Sequence, residues 1–334
     1  MSLKAIAAEL GISVTTVSRA LGGFSDVSPE TRMRVEIEAQ RRGYRPNTQA
    51  RRLKTGKIDA VGLVFPEHTV PFNSSVFMDM VSCISRELAS HDIDLLLIAD
   101  DEGADSHSYM RLVKSRRVDA LIVAHTLDND PRLIQLLEAG IPFLALGQVL
   151  SGLPCAWFDF DNHAGTWLAT QHLIALGHQR IALLSEDSSH AYVMARRQGW
   201  RDALSQHNLP DTWLRLISPT RRAGYQTVNT LMSLPFPPTA IITDSDLSGD
   251  GAAISLLLSG HLSGEHAPSL VVYDGLPQDS IIELDVASVL QSTRSRVGRQ
   301  IADMVHELIK GASPETLQVL WQPEFYPGKT TFSP

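Results

Sequence analysis

The sequence has little cysteine and no long hydrophobic run. The two cysteines among its 334 residues, Cys83 and Cys155, are too few for a disulfide framework and fit a reducing compartment. Both lie in apolar stretches, where packing is the expected role. No apolar run is long enough to span a bilayer, and the N-terminus lacks the apolar core of a signal peptide. We therefore expect a cytoplasmic protein without membrane contact.

Motifs for metal binding and catalysis are also scarce, and no glycine-rich phosphate-binding loop is present. Two sets have metal-ligand chemistry: the run Asp100, Asp101 and Glu102, and the pair His261 and His266. Neither has further ligands at a recognisable spacing. Triad residue types occur at Ser185, Asp187 and His190. They crowd one loop, whereas a triad is normally assembled from separate elements. We expect no enzyme, no metal site and no cofactor.

Net positive charge is found only at the start of the chain. Residues 1–60 contain eleven Lys and Arg against six Asp and Glu, and the remaining residues contain 18 against 31. A basic segment joined to an acidic body is typical of a nucleic-acid-binding module fused to a domain that avoids nucleic acid. A basic segment alone is weak evidence, so the argument depends on the pattern within it.

That pattern, in residues 3–21, predicts two short amphipathic helices that meet at a tight corner. The first helix has an apolar face at helical spacing, formed by Ile6, Ala7 and Leu10. Gly11 suits the left-handed conformation at a helix C-terminus, and Ser13 can cap the second helix. The residues expected to pack back onto the first helix are Val17, Ala20 and Leu21.

The other side chains of the second helix are expected to face outward: Val14, Thr15, Thr16, Ser18 and Arg19. This set is small and polar and contains one arginine, as a helix entering the DNA major groove requires. A plain helical hairpin is the alternative. The glycine, the cap and the apolar spacing together favour a DNA-binding helix-turn-helix.

A third helix is predicted from Ser28, which caps it, with Pro29 in its first turn. Its expected packing residues are Val35, Ile37 and Ala39. Gly43 ends it, and the residue before Pro46 avoids the helical conformation. Residues 1–46 are therefore expected to form a three-helix head.

The stretch 47–57 is short, basic and nearly devoid of apolar side chains apart from Ala50 and Leu53. A free peptide of this length hardly holds a helix. It is either a solvated linker or a hinge helix that folds only on DNA, with Leu53 as an apolar wedge.

From residue 58 the sequence alternates strands with helices. The predicted strands are 59–65, 93–100, 118–124, 143–146, 156–160, 180–184, 240–243 and 270–273, and helical patterns include 78–90, 168–176 and 195–206. This α/β alternation indicates parallel sheets covered on both faces. The number of units favours two doubly wound lobes, with ligands bound beyond the carboxyl ends of the strands.

Six motifs span nearly the whole chain: IAAELGISVTTVSRAL (6–21), VSPETR (27–32), GYRPN (43–47), ARRL (50–53), LIALGHQRIALL (173–184) and VVYD (271–274). In sequence and in order they resemble the LacI/GalR family of bacterial transcription repressors. The resemblance implies a helix-turn-helix head over 1–46 and a hinge over 47–57. It implies a periplasmic-binding-protein-like domain of two lobes over 58–334, for sugar binding and dimerisation.

The resemblance also implies a homodimer whose two heads read a pseudo-palindromic operator DNA. The family's base-reading positions match Val14, Thr15 and Arg19, and its phosphate-side positions match Thr16 and Ser18. In the hinge, the expected DNA-binding residues are Asn47, Ala50, Arg51 and Leu53. Leu53 matches the leucine that unstacks the central base step. Gly22 departs from the family's usual asparagine, so one backbone contact is in doubt.

The implied effector site contains Phe72, His125, Phe160, Arg196, Asp246 and Asp274. Arg196 matches a sugar-clamping arginine, whose fixed fork of donors suits vicinal hydroxyls; a surface salt bridge is the alternative. Asp274 matches an acceptor for sugar hydroxyls. The aromatic positions match sugar-stacking residues and His125 a polar cleft residue, with core packing open for each.

Two departures concern the size of the ligand. Ser245 replaces a common asparagine, and Gly147 stands where many relatives carry a sugar-binding aspartate. Both replace a longer polar side chain with a smaller one. They leave room for a glycoside larger than a monosaccharide.

The expected function is repression of a sugar-utilisation operon, with release by a glycoside inducer, most simply an α-galactoside such as raffinose or melibiose. One alternative is a corepressor-dependent regulator that binds a purine or another metabolite. Another is a transport-type sugar-binding protein, against which the basic head and the missing signal peptide argue.

We expect a dimer and no higher assembly. The segment 322–334 contains prolines and a glycine but no heptad, so it is not expected to form a coiled coil. Candidate interface positions lie around Val76–Ile84 and Ile281–Leu284.

Overall fold

The computed structural model describes residues 2–22, 24, 26–44, 57–66, 75–100, 108–261 and 267–334. Two units are distinguished, Met1–Ile58 and Asp59–Pro334, which we call the head and the body. Of the predicted hinge, only Lys57 is among the described residues.

Three helices form the head: α1 (Leu3–Leu10), α2 (Val14–Leu21) and α3 (Pro29–Arg41). Gly11 ends α1 with a φ of 65°, and Ser13 Oγ caps α2 by accepting the Thr16 amide at 3.0 Å. The fully buried side chains between the helices are Ile6, Val17 and Val35. The predicted helix-turn-helix is confirmed, with the predicted turn and cap.

The expected packing role of Ile37 is wrong. Its side chain is 59% exposed, whereas Val35 and Ala39 are buried. Two residues along a helix correspond to a rotation of about 200°, so Ile37 lies on the face opposite Val35. The head core therefore uses one face of α3 only.

The body alternates strands and helices in chain order: β1 (Ala60–Pro66), α4 (Ser75–Ala89), β2 (Asp94–Asp100), α5 (Ser108–Lys114), β3 (Ala120–Val123), α6 (Pro131–Glu138), β4 (Phe143–Leu146), β5 (Ala156–Phe160), α7 (Asn162–Ala175), β6 (Ile181–Glu186), α8 (Ala191–Gln206), β7 (Leu214–Ile217), α9 (Arg221–Met232), β8 (Ala240–Thr243), α10 (Asp246–Leu258), β9 (Ser269–Tyr273), β10 (Ala287–Leu290), α11 (Arg294–Lys310), β11 (Gln318–Trp321) and β12 (Glu324–Tyr326). A 3-10 turn, Pro314–Thr316, precedes β11. No helix in the described part of the chain is long and apolar enough to cross a membrane.

The strands form two six-stranded sheets, one in each lobe. The first lobe has the order β11-β5-β4-β3-β1-β2 and is parallel throughout. The second has the order β12-β10-β9-β8-β6-β7 and is parallel except for β12. The chain passes between the lobes after β5, after β10 and after β11. The two doubly wound lobes predicted from the sequence are confirmed.

Each sheet is buried on both faces, as parallel sheets covered by helices are. In β1, Val61 and Leu63 face the core shared with α4 and α11, whereas Val64 faces the opposite core. In β3, Ile122 faces the first of these cores and Leu121 faces the second. This period of two explains why the strands read as continuous apolar runs.

All eight predicted strands are present, and three have the predicted bounds: β4, β5 and β8. Four strands were missed: β7, β10, β11 and β12. These are three or four residues long, and three of them are half-exposed along much of their length. Such segments lack a periodic apolar signal, so their pairing comes from the sheet beside them.

The candidate interface segment in α4 is largely internal. Phe77, Val81 and Ile84 are in the core of the first lobe, so these three side chains are not available to a partner. In contrast, Ile281 is 85% exposed. The edge strand β2 also exposes Leu96 and Leu97.

Helices α7 and α8 of the second lobe approach each other closely at a glycine. A Cβ placed on Gly199 would lie 2.1 Å from the carbonyl oxygen of His163. Only glycine allows α8 this approach, and the approach brings Arg196 of α8 beside Asn162 at the start of α7. Backbone packing therefore positions a predicted site residue.

Gly199→Ala should lower the free energy of unfolding of the body by about 1–3 kcal/mol, because the added methyl forces two backbones apart. Urea unfolding followed by tryptophan fluorescence measures this, since all five tryptophans lie in the body. Gln198→Ala, at an exposed position on the same helix, is the control and should change stability by less than about 0.5 kcal/mol. Equal stability of Gly199→Ala and wild type would refute the close-contact argument.

Candidate functional site

The outward face of α2 has the composition expected of a DNA-reading helix. Val14, Thr15 and Ser18 are exposed, and Thr16 is half-buried because its hydroxyl lies 2.8 Å from Ser13 Oγ in the helix cap. The structure therefore presents the predicted set on one side of the head, with Thr16 partly engaged in capping.

Arg19 is held by two partners on the segment after α2. Its Nε and Nη2 donate to the two carboxylate oxygens of Asp26, at 3.1 and 2.6 Å. Its guanidinium carbon lies 4.8 Å from the centre of the Phe24 ring. A Cβ at Gly22 would lie 2.9 Å from that ring, which gives a local reason for the glycine that departs from the family pattern.

Five predicted residues lie outside the described part of the chain: Phe72 in the body and Asn47, Ala50, Arg51 and Leu53 in the hinge. Their roles stay predictions.

A cavity of about 240 Å³ lies between the two lobes of the body. Its wall includes the five described residues of the predicted effector set: His125, Phe160, Arg196, Asp246 and Asp274. They follow or end strands β3, β5, β8 and β9 or lie on α8 beside them. This is the place where ligands bind to parallel sheets.

Arg196 is the most connected side chain of the wall. It is 6% exposed, its Nε donates to Asn162 Oδ1 at 2.9 Å, and its Nη1 donates to the backbone carbonyl of Asp244. Its guanidinium carbon also lies 3.5 Å from the centre of the Tyr273 ring. The predicted clamp is therefore a buried group already fixed on three sides, and a surface salt bridge is excluded.

Five buried polar atoms of this wall have no hydrogen-bond partner among the described residues: His125 Nδ1, Asp246 Oδ2, Asp274 Oδ1, Ser292 Oγ and Arg294 Nε. Leaving one such atom unsatisfied costs about 1–3 kcal/mol. Five that converge on one cavity indicate a place where a bound molecule supplies the missing bonds. The set mixes carboxylate acceptors with donors, which suits a ligand rich in hydroxyl groups.

The cavity wall contains more acidic than basic side chains: Asp159, Glu186, Asp244, Asp246 and Asp274 against Arg196 and Arg294. Burial raises the pKa of both Asp246 and Asp274, and the positive charge of Arg294 opposes the rise at each. Burial also raises the pKa of Asp159 and of Asp244 to about 6 each, against the attraction of Arg196. The attraction of Arg196 only partly offsets burial at Asp159 and Asp244, so both carboxyl groups keep their protons to a higher pH than exposed aspartates do.

Most of the apolar lining of the cavity comes from the first lobe, which also contributes the polar groups of His125, Asp159 and Arg294. Phe160 is buried and packs edge-on against Phe158 and Trp321, at centroid distances of 5.5 and 5.9 Å. Val76 and Ile301 extend this surface. The cavity therefore combines an apolar surface with polar groups, as a sugar with an apolar ring face and a rim of hydroxyls requires.

His125 has a strained backbone and an unusual pKa. Its φ is 52°, and its ring lies against Phe77 and His190 at 5.7 and 5.2 Å. Burial first, and then the charge of His190, lower the pKa of His125 to about 4. The imidazole is therefore neutral at pH 7, with its unpartnered Nδ1 on the cavity wall.

Gly147 lines the cavity but leaves less space than its size suggests. Its φ is 139°, and a Cβ there would lie 2.0 Å from Thr126 Oγ1. The threonine hydroxyl occupies the place that a side chain at this position would take. Ser245 also lines the cavity and caps α10 by accepting the Ser248 amide at 3.3 Å.

Several wall residues were missed by sequence reasoning: Asn162, Glu186, Tyr192, Ser292 and Arg294. Glu186 accepts the Tyr192 hydroxyl at 2.7 Å. Glu186 ends the recognised strand β6, so a search of strand ends would have found it. Arg294 and Ser292 follow β10, which the sequence did not predict, so no signal pointed to them.

The residues that could have formed a triad have other partners. Ser185 Oγ accepts Arg197 Nε at 2.9 Å, and His190 Nδ1 lies 3.1 Å from Ser188 Oγ. Ser185 lies within β6, so the expectation that all three share one loop is wrong. Among the described residues no cluster of three or more His, Cys, Asp or Glu could hold a metal ion. Cys83 and Cys155 are both buried.

Lowering the pH from about 6.5 to 4 should destabilise the wild-type body more than His125→Asn, which also tolerates a positive φ. In this window the unfolded histidine binds a proton and the folded one, with a pKa of about 4, does not. The extra loss approaches roughly 3 kcal/mol at the acid end. Urea unfolding at pH 7 and pH 4.5 measures it, with the exposed His207→Asn as control. Parallel losses in all three proteins would contradict the assigned burial.

Comparisons with known proteins agree with this geometry. The model of bacterial regulatory proteins of the lacI family matches residues 2–47, and that of periplasmic binding proteins and the sugar-binding domain of the LacI family matches 58–330. The HTH-type transcriptional regulator RafR of Escherichia coli is 78% identical over 334 residues, which cover 100% of this chain and 99% of the relative.

Solved structures agree as well. The crystal structure of a transcriptional regulator from Yersinia pestis biovar Microtus is 47% identical with a TM-score of 0.78, covering 83% of this chain and 99% of that one. A complex of the transcriptional regulator CelR with cellobiose is 26% identical with a TM-score of 0.70, covering 99% and 100%. The family predicted from the motifs is confirmed: the chain belongs to the LacI family of bacterial regulatory proteins.

Proposed function

We propose that this protein is a DNA-binding repressor of a sugar-utilisation operon and that an α-galactoside such as raffinose or melibiose releases it from DNA. The observation that supports this most is the 78% identity over the full length with the HTH-type transcriptional regulator RafR of Escherichia coli. At that identity the recognition helix and the ligand cavity are expected to serve the same kinds of partner.

The head supports the DNA-binding part of the proposal. A capped recognition helix presents small polar side chains and Arg19 on one side of a basic unit. An arginine of such a helix reads guanine through its O6 and N7 atoms, and the surrounding hydroxyls contact phosphates. A helix-turn-helix protein binds two half-sites as a dimer.

Exposed apolar side chains support a homodimer. Leu96 and Leu97 lie on the edge strand β2, and Ile281 lies on the second lobe. Adjacent exposed leucines on an unpaired strand edge are the kind of surface that a partner covers. The proposed partner is a second copy of this chain.

The cavity supports a glycoside as effector. Asp246 and Asp274 offer buried carboxylate oxygens to ligand hydroxyls, and Arg294 offers an Nε–H that has no acceptor among the described residues. Phe160 lies on the apolar side, where the C–H face of a sugar ring packs. The CelR complex contains cellobiose, so this fold accommodates at least a disaccharide in a relative.

The positions of these groups suggest how the ligand acts. Asp246 and Asp274 belong to the second lobe, whereas Arg294 begins α11, which packs against α4 in the first. A ligand that bonds to both sets pulls the lobes together. We propose that this movement weakens DNA binding by the head, with a coupling of about 1–3 kcal/mol, or roughly 5–150-fold in affinity.

Arg19→Ala should weaken binding to the duplex that wild type selects from a random pool and relax its base preference. A bidentate arginine–guanine pair contributes about 1–3 kcal/mol of discrimination. Band shifts on the selected and a scrambled duplex, over a salt series, measure both effects. Equal losses on the two duplexes would remove Arg19 from base readout.

Asp274→Asn should keep DNA affinity but require roughly tenfold or more raffinose or melibiose for release, because a charge-assisted hydrogen bond contributes about 1.5–3 kcal/mol. Asparagine fits the positive φ of this position, so folding should survive. DNA affinity is measured against sugar concentration for wild type, Asp274→Asn and the exposed control Asp128→Asn.

If neither sugar changes wild-type DNA affinity at millimolar concentration, the α-galactoside assignment is wrong. If a purine tightens binding instead, the corepressor interpretation replaces the inducer one.

A further inference from the structure

We propose that Asp26 is a specificity-determining residue of the head: it holds Arg19 side-on, so that the end edge of the guanidinium meets a guanine. This inference rests on the proposed DNA-reading function and names a residue that is not on the recognition helix. Asp26 is also a carboxylate in a basic unit. Its charge repels the DNA phosphates, so its presence beside the DNA-reading arginine calls for a compensating role.

The geometry of the pair leaves one edge of the guanidinium open. Arg19 Nε and Nη2 donate in parallel to Asp26 Oδ1 and Oδ2, at 3.1 and 2.6 Å. An arginine has five N–H donors in a rigid plane, and this side-on pair uses the Nε–H and one Nη2–H. Within the part of the chain that the structure describes, the Nη1 hydrogens and the second Nη2 hydrogen have no other acceptor. These form the end-on fork that matches guanine O6 and N7.

A second contact restrains the face of the same group. The Phe24 ring lies 4.8 Å from the Arg19 guanidinium carbon. Phe24 is itself anchored at its backbone: its N–H donates to the Arg19 carbonyl at 3.1 Å, and its carbonyl accepts Arg32 Nη2 at 2.8 Å. Gly22 leaves room for the ring. Asp26 therefore restrains rotation of the guanidinium within its own plane, and the Phe24 ring restrains tilting of that plane.

Orientation before binding changes how Arg19 reads DNA. A free arginine loses rotamer freedom when it docks and can also turn towards a phosphate, which would give affinity without selectivity. Asp26 limits both alternatives. Its negative charge also repels every phosphate backbone alike. The expected net effect of Asp26 is weaker binding to unrelated DNA and a larger preference for the correct base.

The test compares dissociation constants of wild type, Asp26→Asn and Arg19→Ala, and of the double variant. The probes are the selected duplex, the same duplex with each guanine replaced in turn, and a scrambled duplex. Asp26→Asn should lower the ratio of selected to scrambled affinity about threefold to tenfold, the range expected when one side chain loses its pre-orientation. The preference should fall at the one guanine that Arg19 reads.

Two controls separate orientation from charge. Glu36→Gln removes one exposed carboxylate from α3 and should leave the ratio unchanged. In the Arg19→Ala background, Asp26→Asn should have no further effect on the ratio, because coupled residues are non-additive. Thermal melts confirm folding, and the Arg19 Nε–H nuclear magnetic resonance signal should shift in Asp26→Asn as the pair is lost.

An unchanged or larger ratio in Asp26→Asn would overturn the inference, since Asp26 would then only compete with DNA for Arg19. An equal fall in Glu36→Gln would overturn it as well, because the effect would be one of net charge. If wild type itself selects no sequence, the proposed function fails and the inference fails with it.

Discussion

The second lobe and its ligand cavity depend on the burial of one guanidinium. Arg196 is 6% exposed and remains charged, so each buried N–H needs an acceptor. Asn162 at the start of α7 and the Asp244 carbonyl after β8 supply two, and the Tyr273 ring at the end of β9 covers one face. Three elements that are distant in sequence therefore have to meet at one point.

The cavity beside this point is costly to fold. Acids buried there have raised pKa values, so their charged forms are disfavoured in the folded protein. Atoms of Asp246, Asp274 and Arg294 also lack hydrogen-bond partners among the described residues. Native proteins leave few buried polar atoms unsatisfied, and a cluster of them is a stability cost that only a binding role justifies. The positive charge of Arg196 reduces that cost by stabilising nearby carboxylates. A bound ligand would reduce it further by bonding to the unsatisfied atoms.

Much of the fold could be predicted from the sequence, because helix caps, helix ends and apolar spacing depend on interactions between residues that are close together in the chain. Gly11, Ser13 and apolar spacing define the head without help from the body, and continuous apolar runs define most parallel strands. The effector residues were placed together by the resemblance to the LacI/GalR family, and the convergence of strand carboxyl ends is the physical reason that most of them meet at one cavity. Tertiary contacts decided two other features: the Thr126 hydroxyl fills the space beside Gly147, and Arg294 follows a strand, β10, that pairing with its neighbours stabilises. The error at Ile37 was local, since helical rotation places residues 35 and 37 on opposite faces.

The two arginines illustrate how environment decides what an arginine does. Arg196 is buried, so its partners are fixed and their removal would leave a charge uncompensated. Arg19 is exposed, where an ion pair contributes little to stability. Its pairing with Asp26 therefore contributes little to the fold, and its consequence is orientation. Because an exposed pair is also screened by salt, that orientation, and the base preference that depends on it, should weaken as ionic strength rises.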